Sequence, residues 1–109
     1  MKNINIDLDI NDYKTILSHR GKIVGLVGTC MTDKFIESID ETAKSSFSKA
    51  KGILIKFIIH EEQSLFLINS CMGEISDLSS DDCEIIFGTE LDNSIDKNML
   101  NYEIIVTGL

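Results

Sequence analysis

Ala50-Lys51-Gly52-Ile53-Leu54-Ile55-Lys56-Phe57-Ile58-Ile59 is the stretch on which the fold turns. After the glycine, every side chain but Lys56 is a branched aliphatic or an aromatic one. The isoleucines and the phenylalanine fit a pleated strand and lose rotamer freedom in a helix. The run is apolar on both faces, so it predicts a strand in the interior of a sheet, with helices covering one side. Left in water it would invite aggregation, and Lys56 reads as a partial gatekeeper.

Upstream, residues 12–19 read as a short helix with Tyr13, Ile16 and Leu17 on one side, and residues 22–28 as a strand. Thr32 is placed to cap a helix running to about Phe47, because Phe35, Ile36, Ile39, Ala43 and Phe47 recur at helical steps. Downstream, Ser64 is placed to cap a helix whose apolar side carries Leu65, Ile68, Cys71, Met72 and Ile75. Strands follow at Glu84–Thr89 and Tyr102–Thr107, joined by the acidic loop 90–98. The chain has no proline and no low-complexity tract, so no linker divides its 109 residues. The order helix, strand, helix, strand, helix, strand, strand predicts a two-layer α/β (or α+β) sandwich. It has a mixed four-stranded sheet with two helices on one face, plus a short N-terminal helix.

Charge narrows the partners. Ten Lys+Arg against 18 Asp+Glu leave a net −8, which repels phosphate backbones and anionic lipid. Neither a nucleic acid nor a membrane surface is expected as a partner. Arg20 is the single arginine able to clamp a carboxylate or phosphate through two donors. Cys30, Cys71 and Cys83 are far apart and odd in number, so they signal neither a zinc site nor a disulfide framework. Reduced thiols and the lack of an apolar leader point to a cytoplasmic protein, with no metal and no cofactor expected.

Several segments resemble the C-terminal domain of the FtsZ/tubulin family. Ala50-Lys51-Gly52-Ile53-Leu54-Ile55 is similar to that domain's A-K/R-G-V/I-L-V strand, and Ile85-Ile86-Phe87-Gly88-Thr89-Glu90-Leu91-Asp92 to its I-I-F-G-T-x-I/L-D strand and turn. Glu103 to Leu109 resembles its final V-x-V-x-A-T-G strand, Val27-Gly28-Thr29 its M-G-T/S-G, and Ser64-Leu65 with Ile68-Asn69 its S-L-x-x-V-N helix start. The resemblance implies one domain over residues 1–109. Residues 1–20 form a synergy-loop-like segment and connecting helix, and residues 21–109 the sandwich. The family's G-G-G-T-G-T/S-G phosphate loop appears nowhere in the sequence. By itself the chain is therefore expected neither to bind nor to hydrolyse GTP.

Asp7-Leu8-Asp9-Ile10-Asn11-Asp12 is similar to the family's synergy loop, N-x-D-F-A-D, with Asp7, Ile10 and Asn11 departing from it. In the family this loop enters the nucleotide pocket of the next subunit, where its aspartates polarise the attacking water. The resemblance places Asp9 and Asp12 in that trans-acting role, and Asp7, Asp9, Asn11 and Asp12 on an interaction face. Acidic residues ahead of a helix also simply complement its positive end. A calcium loop begins in the same D-x-D-x-N way but fails here, with Asp12 at the glycine position and Ser18 at that of the bidentate Glu. His19 and His60 have no local nucleophile beside them in the sequence.

Three functions follow. The first is a non-enzymatic module that caps or modulates FtsZ polymers in bacterial cell division, its partner an FtsZ or FtsZ-like subunit. The second is a scaffold that associates with itself. The third is a small-ligand binder with a chorismate-mutase-like fold, for which one arginine is a poor start.

Overall fold

The computed structural model describes residues 8–109. Three helices and four strands alternate as α1 (Ile10–Leu17), β1 (Val24–Met31), α2 (Glu41–Phe47), β2 (Gly52–Ile59), α3 (Leu65–Leu78), β3 (Glu84–Leu91) and β4 (Met99–Thr107). The strands form one mixed sheet in the order β1-β4-β2-β3. β2 and β3 run parallel with α3 as their crossover, and β4 is antiparallel to both of its neighbours.

The run 53–59 is interior, as its composition demands. It pairs with β4 on one side and β3 on the other, and every residue of it but Lys56 is buried. Ile53, Ile55, Phe57 and Ile59 point into the main core, with Leu100, Tyr102, Ile104 and Val106 of β4 beside them. Phe35, Ile39, Ala43 and Phe47 join this core, as do Ile68, Cys71 and Ile75 of α3, which packs against α2. The alternate residues of β2 need a cover too. α1 packs across β2 and β3, so Leu54 and Ile16 are buried outside the main cluster. Lys56 lies on this second face, its Nζ 2.8 Å from Glu90 Oε1 and its strand neighbour being Glu103.

The expected helix from Thr32 to Phe47 is broken. The Thr32 N–H donates to the Asn98 carbonyl at 2.9 Å, so Thr32 prolongs the β1–β4 ladder instead of capping a helix. Ile36–Ser38 forms a 3-10 turn, Ile39 is extended, and Asp40 caps α2 through the Ala43 N–H at 2.8 Å. The three- and four-residue spacing survives the break, which is why Phe35 and Ile39 still reach the core. β1 also runs from residue 24 to 31 rather than 22 to 28, and β4 begins at Met99. Ser64 stands at the start of α3, but its hydroxyl makes no capping bond.

Glu74 of α3 sits beside Cys30 and Cys71. Burial, and then the charge of Glu37, push its carboxyl above the usual glutamate value. A folded-state value above the unfolded one means that the ionised carboxylate weakens the fold. Glu74→Gln is therefore expected to stabilise the protein by less than about 1 kcal/mol, the scale of one partly screened charge. The gain is full above the folded value, shrinks as pH falls through it, and is gone below the ordinary value of 4.5. Thermal melts of both forms across that range check the sign.

Candidate functional site

The acidic segment is a reciprocal helix cap. Asp9 has extended backbone, and its Oδ1 accepts from the Asn11 N–H at 2.8 Å and the Asp12 N–H at 3.1 Å. Asp12 Oδ2 accepts in return from the Asp9 N–H at 2.9 Å. Each aspartate thus satisfies donors that the first turn leaves open, and both charges face the positive end of α1. Both residues keep their carboxyl groups at the surface or close to it. Asn11 contributes its backbone to the cap and is exposed. Asp7 lies outside the described residues.

The helix that carries this turn is fixed to the sheet. Ile16 is fully buried, and the buried Thr107 hydroxyl donates to the Ile16 carbonyl at 2.8 Å. Gly52 leaves room for that contact: a Cβ there would stand 2.7 Å from His19 Cδ2 and 2.8 Å from Thr107 Oγ1. His19 Nε2 lies 3.0 Å from Glu84 Oε1, tying the end of α1 to the start of β3. His19 therefore makes its bond across to the sheet. The result is a short acidic turn held by its own cap at one end of an anchored helix. That is what orienting a charge toward a partner requires.

Among the described residues the remaining polar groups assemble no nucleophile. His60 Nδ1 accepts from the Glu62 N–H at 3.0 Å. Burial pushes the thiols of Cys30 and Cys83 up and that of Cys71 up to about 12, so a thiolate is disfavoured at all three. All three cysteines are free. Among the described residues no group of three or more His, Cys, Asp or Glu side chains could hold a metal ion. No helix among them is long and apolar enough to cross a membrane.

Two surface features escape a reading of the sequence. An open groove of about 410 Å³ runs between β1 and α2, with Val24, Leu26 and Ala43 in it and Lys22 and Lys49 at one end. β1 itself is an edge strand, and Val27 and Met31 on it, with Ile23 just before it, are exposed to solvent. Neither could be located without knowing which strand ends the sheet.

Residues 36–109 match the model of the FtsZ family, C-terminal domain. The cell division protein FtsZ of Magnetospirillum gryphiswaldense is 29% identical over 95% of this chain, and that of Wigglesworthia glossinidia brevipalpis 27% identical over 95%. The chain spans only 20% and 29% of those two proteins. The structure of an empty FtsZ dimer from M. jannaschii superposes on 98% of the chain and 33% of its own, with a TM-score of 0.76 at 21% identity. That likeness bears on the fold, and it extends beyond the matched 36–109 to take in α1 and the acidic turn. More than half of the chain fits the family model, in the expected order of elements. The chain belongs to the FtsZ family, of which it carries the C-terminal domain.

Proposed function

We propose that this chain is a non-enzymatic interaction module for FtsZ-type filaments in the cytoplasm. It docks its Asp9–Asp12 turn against the nucleotide-bearing end of an FtsZ subunit and caps or modulates the polymer. One observation carries the reading: the two aspartates hold each other in a capping box on a helix anchored by Ile16 and Thr107. A turn ordered in advance loses little entropy on docking, and fixed carboxylates can orient a water molecule. The sequence has no glycine-rich phosphate loop, so any GTP chemistry belongs to the partner.

The test is GTP turnover and pelleting of a purified FtsZ with this protein titrated in. Alanine at Asp9 and Asp12 would remove the cap along with the charge, so the informative variant is Asp9→Asn/Asp12→Asn. Asparagine caps a helix about as well as aspartate. Wild type should change turnover or assembly below one equivalent. The double variant should need at least about tenfold more protein for the same effect, while melting close to wild type. If FtsZ behaves identically with and without the wild-type protein, the proposal is rejected.

A further inference from the structure

We propose that two copies of the chain pair through β1, antiparallel, about a two-fold axis passing through Val27. Among the described residues β4 is the one strand that β1 pairs with, and the Met31 carbonyl is taken by the Lys34 N–H at 3.0 Å. The Thr32 N–H donates to Asn98 in register with that ladder. Antiparallel alternation therefore turns the even-numbered residues of β1 toward β4. It leaves the N–H and C=O groups of Gly25, Val27 and Thr29 at the open edge. Natural edge strands are usually blunted by charge, proline or a bulge. Val-Gly-Leu-Val-Gly-Thr-Cys-Met has no charge and no proline. The opposite edge, β3, carries Glu84 and Glu90.

The side chains select the partner and the register. Ile23, Val27 and Met31 are 52%, 81% and 52% exposed, the large apolar residues left open on β1 and just before it. Their spacing is symmetric about Val27. With Val27 on the axis, Val27 meets its own counterpart and Ile23 of each copy meets Met31 of the other. Gly25 then faces Thr29, so the open-edge groups of both residues find partners. Moving the axis to Gly28 would set Lys22 against Lys34 and Ile23 against Asp33. Moving it to Leu26 would leave Met31 against Gly21. The row is also flanked by opposite charges, Lys22 before it and Asp33 after it. With the axis at Val27, Asp33 of one copy falls opposite Gly21 and so one residue from Lys22 of the other, whereas parallel pairing would bring like charges together. A self-complementary row of this kind fits a second copy of the same chain, the partner that a two-fold interface requires. The groove beside α2 continues the same edge, and the added strand would lie along its mouth.

Sedimentation velocity on the intact chain, from low micromolar to submillimolar, tests the pairing. Wild type is expected to pass from monomer to dimer as concentration rises. Val27→Lys places two ammonium groups at the axis and is expected to raise the dissociation constant at least about tenfold. Because Val27 is exposed, its melting temperature at low concentration should match wild type, which separates lost pairing from lost folding. Amide exchange adds a register-specific reading: protection of Gly25, Val27 and Thr29 should rise with concentration, and that of Leu26 and Gly28 should not. A strict monomer throughout the range, or a dimer that Val27→Lys leaves intact, overturns the inference.

Discussion

Truncating Phe57 to alanine is expected to cost about 3–5 kcal/mol, the range for removing a buried ring. Phe57 has no exposed surface and sits mid-strand in β2, beside Tyr102 of β4 and Thr89 of β3. Its ring meets Phe35 edge-on at 5.6 Å between centroids, a geometry that adds to the area it buries. Both neighbouring strands hold its backbone, so the sheet cannot collapse into the space left behind. A domain of this size has about 5–15 kcal/mol of stability in total. The variant should therefore lose a large fraction of its stability at room temperature. Urea titration gives the number, and an unchanged slope would confirm that stability, not compactness, has altered. Phe57→Leu should recover most of the loss. A cost below about 1 kcal/mol for alanine would mean that the core does close over the gap.

Gly28→Ala should destabilise by about 1–3 kcal/mol, although alanine is ordinarily the better strand residue. Gly28 lies on the core side of β1, opposite Tyr102, whose ring covers the place a side chain would take. A methyl group there would run into Tyr102 Oη and Cζ. The ring cannot swing aside cheaply. Its hydroxyl lies 3.0 Å from Ser38 Oγ, which itself donates to the Phe35 carbonyl at 2.6 Å. Since that hydroxyl proton is engaged, Tyr102 must be the donor of the pair. Phe35 also packs against the ring at 5.2 Å, nearly perpendicular. Gly25→Ala is the matched control, because a Cβ at Gly25 meets nothing within 4 Å. Thermal unfolding of the two variants should move in opposite directions. Equal behaviour would show that the Tyr102 ring yields.

Legibility in the sequence followed how local the determinants are. Ile53–Ile59 could be placed inside the sheet because its apolar character on both faces admits no other position. The acidic turn was legible as charge ahead of a helix expected over residues 12–19, but the reciprocal Asp9–Asp12 cap starts α1 two residues earlier, at Ile10. The helix expected across residues 32–47 shows the limit. Helical spacing in Phe35, Ile39, Ala43 and Phe47 reports which side chains face the core, and a turn followed by a short helix serves that spacing equally well. The cap at Asp40, three residues before Ala43, was the overlooked sign of the restart. The anchoring of α1 by Thr107 joins residues 91 positions apart, and no periodicity records such a contact. The open edge of β1 depends on strand order, which the hydrophobic pattern leaves free. The trans-acting role of Asp9 and Asp12 came from resemblance, and the cap that fixes the two carboxylates is a contact the sequence reading did not contain.

The order β1-β4-β2-β3 places β4, which follows the other three described strands in the sequence, in the middle of the sheet. While a ribosome is still making the chain, β2, α3 and β3 can assemble as a local unit, but β1 has nothing to bind. The long loop between β1 and its eventual neighbour must stay open until Met99–Thr107 emerges, and closing it is the entropically slow step. Until Met99–Thr107 has emerged, β1 stays unpaired and β2 keeps an open edge. Completion of a single nine-residue strand seals both at once, so maturation of this domain is a late, nearly all-or-none event.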